Sequence, residues 1–151
     1  MNSLQIEKIL NKNPYTRRFF KGVFAADTRR KFNEYPYCLV VNSDKQMEKG
    51  THWLGLYIPK SDTIEYFDSL ASDTIKPEIK KFLDTFNHVK MNKKKVQSVY
   101  DTSCGHHVIY FLVHRCKGFS YDSPIRKLNS MGPLSDYRVK LFVFHLITGS
   151  K

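Results

Sequence analysis

Acidic residues are scarce in this sequence. The 151 residues include 14 Asp and Glu against 25 Lys and Arg, so the net charge is +11 at neutral pH. Such an excess excludes a charge-balanced surface and indicates acidic partners: nucleic acid, an acidic protein or an anionic membrane. The sequence also lacks any apolar run near the roughly 20 residues that a bilayer span needs, and it lacks the apolar segment of a signal peptide. We therefore expect no membrane association and no secretion.

Cysteines are few as well. Cys38, Cys104 and Cys116 are odd in number and scattered, which excludes a disulfide framework. This usage indicates a reducing intracellular compartment, cytoplasm or nucleus, where a thiol stays free. Internal repeats, low-complexity tracts and linkers are also missing. The length suits one domain with a substantial core, so we predict a single domain over residues 1–151, acting as a monomer.

The remaining pattern alternates helical and extended segments and predicts the α+β class. Helices are predicted at five places: residues 2–12, 75–86, 104–117, 123–129 and 135–148. Strands are predicted at five others: residues 37–42, 51–58, 63–68, 88–91 and 96–99. Residues 15–35 are predicted to be irregular, and residues 43–50 form a polar connection.

Cys104 stands where a small polar run ends and the amphipathic helix 104–117 begins. Unpaired N–H groups and the positive end of the helix dipole at such a position stabilise a thiolate, whereas an unperturbed thiol has a pKa of about 8.5. The arrangement is similar to the nucleophile helix of a cysteine protease. Taken alone, however, Cys104 is better interpreted as an ordinary buried cysteine.

Residues 51–68 predict a β-hairpin around a turn at Pro59–Asp62. Matching the apolar side chains across an antiparallel pair places Leu56 opposite Ile64, Leu54 opposite Tyr66, and His52 opposite Asp68. Opposed residues have Cβ atoms about 5 Å apart. We expect the 104–117 helix to cover this face, which would bring Cys104 to His52 and Asp68 as nucleophile, imidazole and orienting acid. Singly, His52 could be structural and Asp68 could begin a turn.

Three motifs carry a family resemblance: Gly50-Thr-His-Trp53, Tyr66-Phe-Asp-Ser-Leu70, and Gln97 seven residues before Cys104-Gly105. Together with Asn13-Pro-Tyr15, Phe20-Lys-Gly-Val23 and Tyr37-Cys-Leu-Val-Val-Asn42, they resemble the adenovirus protease (adenain) family, especially its variants in Maverick/Polinton elements and virophages. The related ubiquitin-like-protein proteases share the His-Trp, Asp and Gln elements. They usually carry Asp before the nucleophile and Gln one residue closer, whereas Ser103 precedes Cys104 here. The spacing therefore favours the adenain side.

The resemblance implies a papain-like α+β cysteine protease fold, in which a central sheet containing antiparallel strands packs on the nucleophile-bearing helix. It implies that His52 is the base, Asp68 its orienting partner and Cys104 the nucleophile. The Gln97 side-chain amide and the Cys104 backbone N–H would form the oxyanion hole. Trp53 is interpreted as a packing residue near the cleft.

The resemblance further implies an endopeptidase that cleaves viral capsid and precursor proteins at glycine-containing sites during particle maturation, in the virion and inside the host cell. The sequence requires no cofactor, but the resemblance to adenain, which is stimulated by DNA, implies DNA as a candidate activator. We do not expect the family's peptide activator, because the chain departs from the family after Arg115. A deconjugating protease for ubiquitin-like proteins is the alternative within the same fold.

Two interpretations of other classes remain. A metal site could be sought among Cys104, His106, His107, His114 and Cys116. His107 and His114 share a helix face but lie about 10 Å apart along it, too far to share one zinc ion, so we expect no metal.

The second is a nucleic-acid-binding module, suggested by basic residues among aromatic ones. The candidates for binding double-stranded DNA are Arg17, Arg18, Lys21, Arg29, Arg30, Lys31, Lys93, Lys94 and Lys95. A basic surface that serves only solubility is the simpler alternative. A protease assisted by DNA would account for both the charge and the His, Asp, Gln and Cys pattern.

Overall fold

A five-stranded mixed sheet forms the centre of the protein. The computed structural model describes residues 1–28, 31–43, 52–98 and 101–149. The strands are β1 (Phe20–Phe24), β2 (Tyr37–Asn42), β3 (Trp53–Lys60), β4 (Thr63–Phe67) and β5 (His88–Met91). The helices are α1 (Ser3–Lys12), α2 (Pro77–Leu83), α3 (Cys104–Cys116), α4 (Asp122–Met131) and α5 (Ser135–Thr148), with a short 3-10 turn at Gly132–Leu134. The predicted α+β class is confirmed.

The strand order follows the chain, β1-β2-β3-β4-β5. The central strands β2, β3 and β4 are antiparallel, while β1 runs parallel to β2 and β5 runs parallel to β4. The predicted sheet with antiparallel strands packed on the cysteine-bearing helix is therefore present. No helix in the described ranges is long and apolar enough to cross a membrane.

Helix α3 packs closely against β3 because residue 55 is glycine. A Cβ atom on Gly55 would lie 3.3 Å from a methyl group of Val108, which is tighter than ordinary contact. Phe67 of β4 stacks on Phe111 of α3 with 4.6 Å between ring centroids. The buried apolar side chains of α3 make it the main helix of one of the two core layers.

The predicted face of the sheet on which α3 packs is wrong. Leu54, Leu56 and Ile58 belong to the second core layer on the opposite side of the sheet, which α2 covers with Ile79, Phe82 and Leu83. Strand β3 is buried on both faces from Leu54 to Ile58. Its apolar side chains therefore do not identify the face on which the nucleophile helix packs.

The predicted hairpin register is also wrong. Leu56 pairs with Tyr66 instead of Ile64, and an irregularity interrupts the pairing between Tyr57 and Lys60. A shift of two residues keeps every side chain on its own face, so apolar matching does not detect it. In this register Asp68 would be level with Leu54, and His52 lies two residues beyond.

Smaller departures concern the irregular segments. The predicted irregular stretch contains β1, because parallel pairing with β2 supplies its backbone bonds. The predicted strand 96–99 is absent over 96–98, where Val96 and Gln97 both donate their N–H groups to the Ser69 carbonyl instead. Helix α2 is shorter than predicted at both ends, and α4 extends further. Most of the predicted polar connection lies outside the described residues.

Candidate active site

Cys104 is the first residue of α3, as predicted, and its side chain is nearly buried. The backbone N–H groups of Trp53 and Gly105 and the side chain of His52 hydrogen-bond to its sulfur. Burial raises the pKa of the Cys104 thiol, but these hydrogen bonds and the His52 charge outweigh burial and hold the pKa below its ordinary value. The site therefore favours a thiolate, the reactive form of cysteine.

Trp53 closes one side of the cysteine. A Cβ atom on Gly105 would lie 3.3 Å from the indole ring, so glycine permits this approach. The indole Nε1 donates a hydrogen bond to the Met1 carbonyl at 3.1 Å, and the ring packs against the α3 core layer. Trp53 thus packs beside the cysteine and also supplies a backbone donor.

His52 lies directly before β3 and joins Cys104 to Asp68. Its Nε2 is 2.6 Å from Asp68 Oδ1. A carboxylate oxygen accepts, so Nε2 carries the proton and Nδ1 remains for the thiol. Burial lowers the pKa of His52, but the hydrogen bonds and charges of Asp68 and Cys104 raise it to about 9. An imidazolium opposite a thiolate is the favoured charge state.

Asp68 is fixed by its own turn and by Asn92. Its carboxylate accepts backbone N–H groups from Leu70 at 2.9 Å and Ser72 at 3.1 Å. The Asn92 side chain accepts the Asp68 N–H at 2.9 Å and donates to the Asp68 carbonyl at 2.6 Å, as a neighbouring strand would. Burial raises the pKa of Asp68, but His52 and the two N–H donors lower it below the ordinary value. The carboxylate is therefore both charged and immobile.

Gln97 is buried at 4% exposure and is held at both ends of its amide. Its Oε1 accepts the Ser69 hydroxyl at 2.5 Å, and its Nε2 donates to the Asp101 carbonyl at 2.8 Å. A carbonyl can only accept, which fixes the orientation of the amide. Asp101 takes one of the two N–H bonds of the amide. Ser69 also connects Gln97 to the turn of Asp68.

A buried polar cluster lies behind the cysteine. Asp136, in the first turn of α5, faces Ser98, Ser103 and His107. His107 Nδ1 is 2.9 Å from the Ser103 carbonyl, which it meets as a donor. Burial lowers the pKa of His107 despite that carbonyl and the Asp136 charge. Over the described residues, no three His, Cys, Asp or Glu side chains form a group that could hold a metal.

The other two cysteines have a different environment. Cys38 is fully buried, and a hydrogen-bond contact with Cys116 followed by burial raises the pKa of Cys38 well above its ordinary value. Both are free thiols, like Cys104. The surroundings of Cys104 lower its thiol pKa, whereas those of Cys38 raise its thiol pKa and oppose its reactivity.

The basic candidates do not form one patch. Arg17 and Arg18 precede β1 and are exposed, and Lys21 lies within β1 over the Phe32 ring. The exposed run Lys93–Lys95 follows β5. These strands are opposite edges of the sheet, with axes roughly 19 Å apart at the usual strand spacing.

Lys31 makes different contacts from the other basic candidates. Its ammonium donates to the Thr85 carbonyl at 3.4 Å and lies over the Phe86 ring. Arg29 and Arg30, two of the predicted DNA-binding residues, lie outside the described residues.

Sequence reasoning missed Asn92, Ser69 and Asp136. Asn and Ser often bond to nearby backbone, but nothing in the sequence indicates a partner 24 residues away for Asn92 or 28 residues away for Ser69. Asp136 belongs to the C-terminal segment, where no family motif was recognised. These residues support the candidate site from behind.

Comparison with known proteins identifies the fold. No protein-family profile and no curated protein sequence matches the chain. Two matching crystal structures are both of ASFV pS273R protease. The selenomethionine form matches at a TM-score of 0.65 and 17% identity, over 97% of this chain and 67% of that one. The other matches at 0.56 and 17%, over 90% and 66%. The chain thus spans about two thirds of the length of that protein, and at this identity the likeness establishes that the two share a fold.

Proposed function

We propose that the protein is a cysteine endopeptidase with Cys104 as nucleophile, His52 as general acid and base, and Asp68 as the group that orients His52. The observation that carries the proposal is the continuous connection from Asp68 through His52 to Cys104 at the start of α3. The fold that this chain shares with a known protease supports it. Peptide hydrolysis by acyl transfer uses these three groups in these roles.

The charge state sets the order of the steps. The Cys104 thiolate attacks the scissile carbonyl carbon and forms a tetrahedral oxyanion. When the oxyanion collapses, the C–N bond breaks, and the His52 imidazolium gives its proton to the leaving amine. Neutral His52 then takes a proton from water, the hydroxide attacks the thioester, and the new carboxyl product leaves as the thiolate reforms.

The oxyanion is stabilised by the Cys104 backbone N–H and by the second N–H of the Gln97 amide. Because Ser69 and Asp101 hold the amide before substrate arrives, little reorganisation is needed at the moment of reaction. Preorganised donors of this kind are worth about 3 to 4 kcal/mol of transition-state stabilisation.

Within this class, we assign the protein to viral maturation proteases of the adenain type. Gln97 stands seven residues before Cys104, and Ser103 stands where the ubiquitin-like-protein proteases usually have Asp. The substrates are then capsid and precursor proteins cut at glycine-containing sites, in the virion and the infected cell. DNA would act as an activator that tethers enzyme and substrates to one polymer and raises their local concentration.

Incubation with the capsid proteins of the same genome, followed by sequencing of the new termini, tests the proposal. Cleavage after glycine-containing sequences is expected from the wild type and not from Cys104→Ala. A ubiquitin-like vinyl sulfone probe provides the comparison. Rapid labelling of Cys104 by that probe without capsid cleavage would move the protein to the deconjugating proteases, and no hydrolysis of any protein would reject the proposed activity.

A further inference from the structure

The N-terminus of α5 holds the loop between β5 and α3 from behind. Asp136 is 7% exposed, and its carboxylate accepts the Ser98 N–H, with the nitrogen 3.2 and 3.3 Å from the two carboxylate oxygens. The adjacent Ser135 hydroxyl donates to the Val96 carbonyl. Two consecutive residues of α5 therefore bind the loop on both sides of Gln97.

The same carboxylate reaches the start of α3. The Ser103 hydroxyl donates to Asp136 Oδ1 at 3.3 Å, and His107 Nε2 lies 3.5 Å from that oxygen. Ser103 and His107 are both fully buried. The Ser103 carbonyl in turn accepts from His107 Nδ1 at 2.9 Å, which ties the peptide before Cys104 to the next turn of the helix.

Asp136 consequently touches the residue after Gln97 and the residue before Cys104. These are the neighbours of the two groups that the proposed function uses as oxyanion donors. No other described carboxylate bonds to both segments. Its position in the first turn of α5 also suits a charged carboxylate, since the helix dipole is positive there.

We propose that Asp136 is the positioning residue of the oxyanion hole: it fixes the distance between the Gln97 amide and the Cys104 N–H without touching substrate. The inference rests on the proposed function. Errors of about 1 Å in such a geometry cost on the order of 10²-fold in rate, so a buried charged acceptor that joins both segments has a direct catalytic consequence. The hydrogen bonds and the ion pair of Asp136 go to Ser98, Ser103 and His107 and not to His52 or Asp68, so we expect no direct effect on the thiolate–imidazolium pair.

Asp136→Asn tests the proposal. The amide keeps the size of the carboxylate but loses its charge and presents an N–H to donors. The matched control is Asp122→Asn, which removes the acidic residue from the first turn of α4, where Asp122 is exposed and pairs with Lys90 at 3.5 Å. For Asp136→Asn we expect kcat to fall about 10- to 100-fold with KM little changed. The rate of Cys104 alkylation by iodoacetamide should stay at the wild-type value, because alkylation uses the thiolate and no oxyanion.

A double variant identifies the route of the effect. If Asp136 acts through the Gln97 amide, Asp136→Asn should add little to Gln97→Ala, whereas independent effects would multiply. Loss of alkylation in parallel with kcat, multiplied effects in the double variant, or an unchanged kcat in Asp136→Asn would each overturn the proposal.

Hydrogen–deuterium exchange keeps the test independent of activity. Asp136→Asn should speed exchange in peptides containing Gln97, Ser98 and Ser103 and leave the β3–β4 hairpin unchanged. An inactive wild type would reject the proposed function. Unchanged exchange in that loop would overturn the inference about Asp136, whether or not the wild type is active. If Asp136→Asn does not fold, Ser103→Ala removes one donor to the carboxylate and should give the same pattern at smaller size.

Discussion

His52 and Asp68 meet through 2.6 Å between Nε2 and Oδ1, although they are not cross-strand partners. Strand β3 starts one residue after His52, and β4 ends one residue before Asp68. Both residues therefore lie just outside the ends of their strands and not within the paired part of the hairpin. The turn that follows Asp68, with Leu70 and Ser72 as donors, aims the carboxylate at the imidazole. Turn geometry, more than strand register, makes this pair.

Removing the charge of Asp68 should change the pH dependence of cleavage. Activity needs the Cys104 thiolate together with protonated His52. Activity therefore falls as the pH rises above the pKa of His52, which Asp68 and Cys104 raise to about 9. Asp68→Asn removes a raising charge, so His52 should lose its proton at lower pH and the alkaline limb of kcat/KM should move downwards. The fall in kcat should be well under the ~10⁴-fold loss of the equivalent serine-protease variant, because a cysteine–histidine pair works with an orienting amide.

Profiles of kcat/KM from acid to alkaline pH for both proteins measure this shift. The two limbs describe the coupled pair and not single residues. An alkaline limb that does not move would show that Asp68 does not stabilise the imidazolium.

Asn92 should matter because it holds the backbone of Asp68. Asn92→Ala removes both hydrogen bonds to the Asp68 backbone, each worth about 1 kcal/mol, and frees the turn that carries the carboxylate. We expect lower thermal stability and a kcat between those of the wild type and Asp68→Asn. Asn87→Ala, at an exposed position just before β5, is the matched control. Wild-type kcat in Asn92→Ala would show that the turn holds Asp68 without help.

The Gln97 amide should act on turnover more than on affinity. Its hydrogen bond strengthens as the oxyanion forms, so Gln97→Ala should lower kcat by about 10²- to 10³-fold and change KM little. Gln97→Glu keeps the shape of the side chain but places a carboxylate oxygen, which can only accept, next to the developing negative charge. It should be no more active than Gln97→Ala. Steady-state kinetics on one cleaved peptide compare the three proteins. A kinetically silent Gln97→Ala would rule out the oxyanion role.

The lysines after β5 should contribute to DNA binding. Each neutralised phosphate releases counterions and steepens the salt dependence by about 0.9 in log–log slope. Replacing Lys93, Lys94 and Lys95 by Ala should flatten the slope and leave peptide turnover at high salt unchanged.

Fluorescence anisotropy with a labelled duplex measures the slope. The control replaces Lys8, Lys12 and Lys117, which are exposed and lie away from β5. Equal flattening by both triple variants would indicate diffuse attraction to a basic surface. Absence of binding at low salt would leave a protease whose charge has no role in DNA contact.

The sequence predicted the parts of the site that depend on local pattern. Cys104 stands at a helix start because a polar run meets an apolar helix there, and both features are local. His52 and Asp68 were identified by alternation and by motif, although the register that joined them was wrong by two residues. A two-residue slip leaves the facing of side chains intact, so no local signal reveals it.

The supporting residues could not be predicted in the same way. Asn92 imitates a strand partner of Asp68 from outside any strand, and Asp136 reaches its loop only because α5 packs behind α3. Both contacts depend on tertiary packing between segments distant in the chain. The face that α3 covers was hidden for a related reason, since β3 is apolar on both sides.

The thiolate–imidazolium pair of Cys104 and His52 is the centre of the proposed mechanism, and its alkylation rate measures it directly. At a limiting dose of iodoacetamide near neutral pH, mass spectrometry of tryptic peptides should find Cys104 labelled well before Cys38 or Cys116. The rate should already be high below the ordinary thiol pKa of about 8.5, and His52→Ala should move its rise to higher pH. Equal labelling of the three cysteines, earlier labelling of Cys116, or a pH profile that His52→Ala leaves unchanged would contradict the pair.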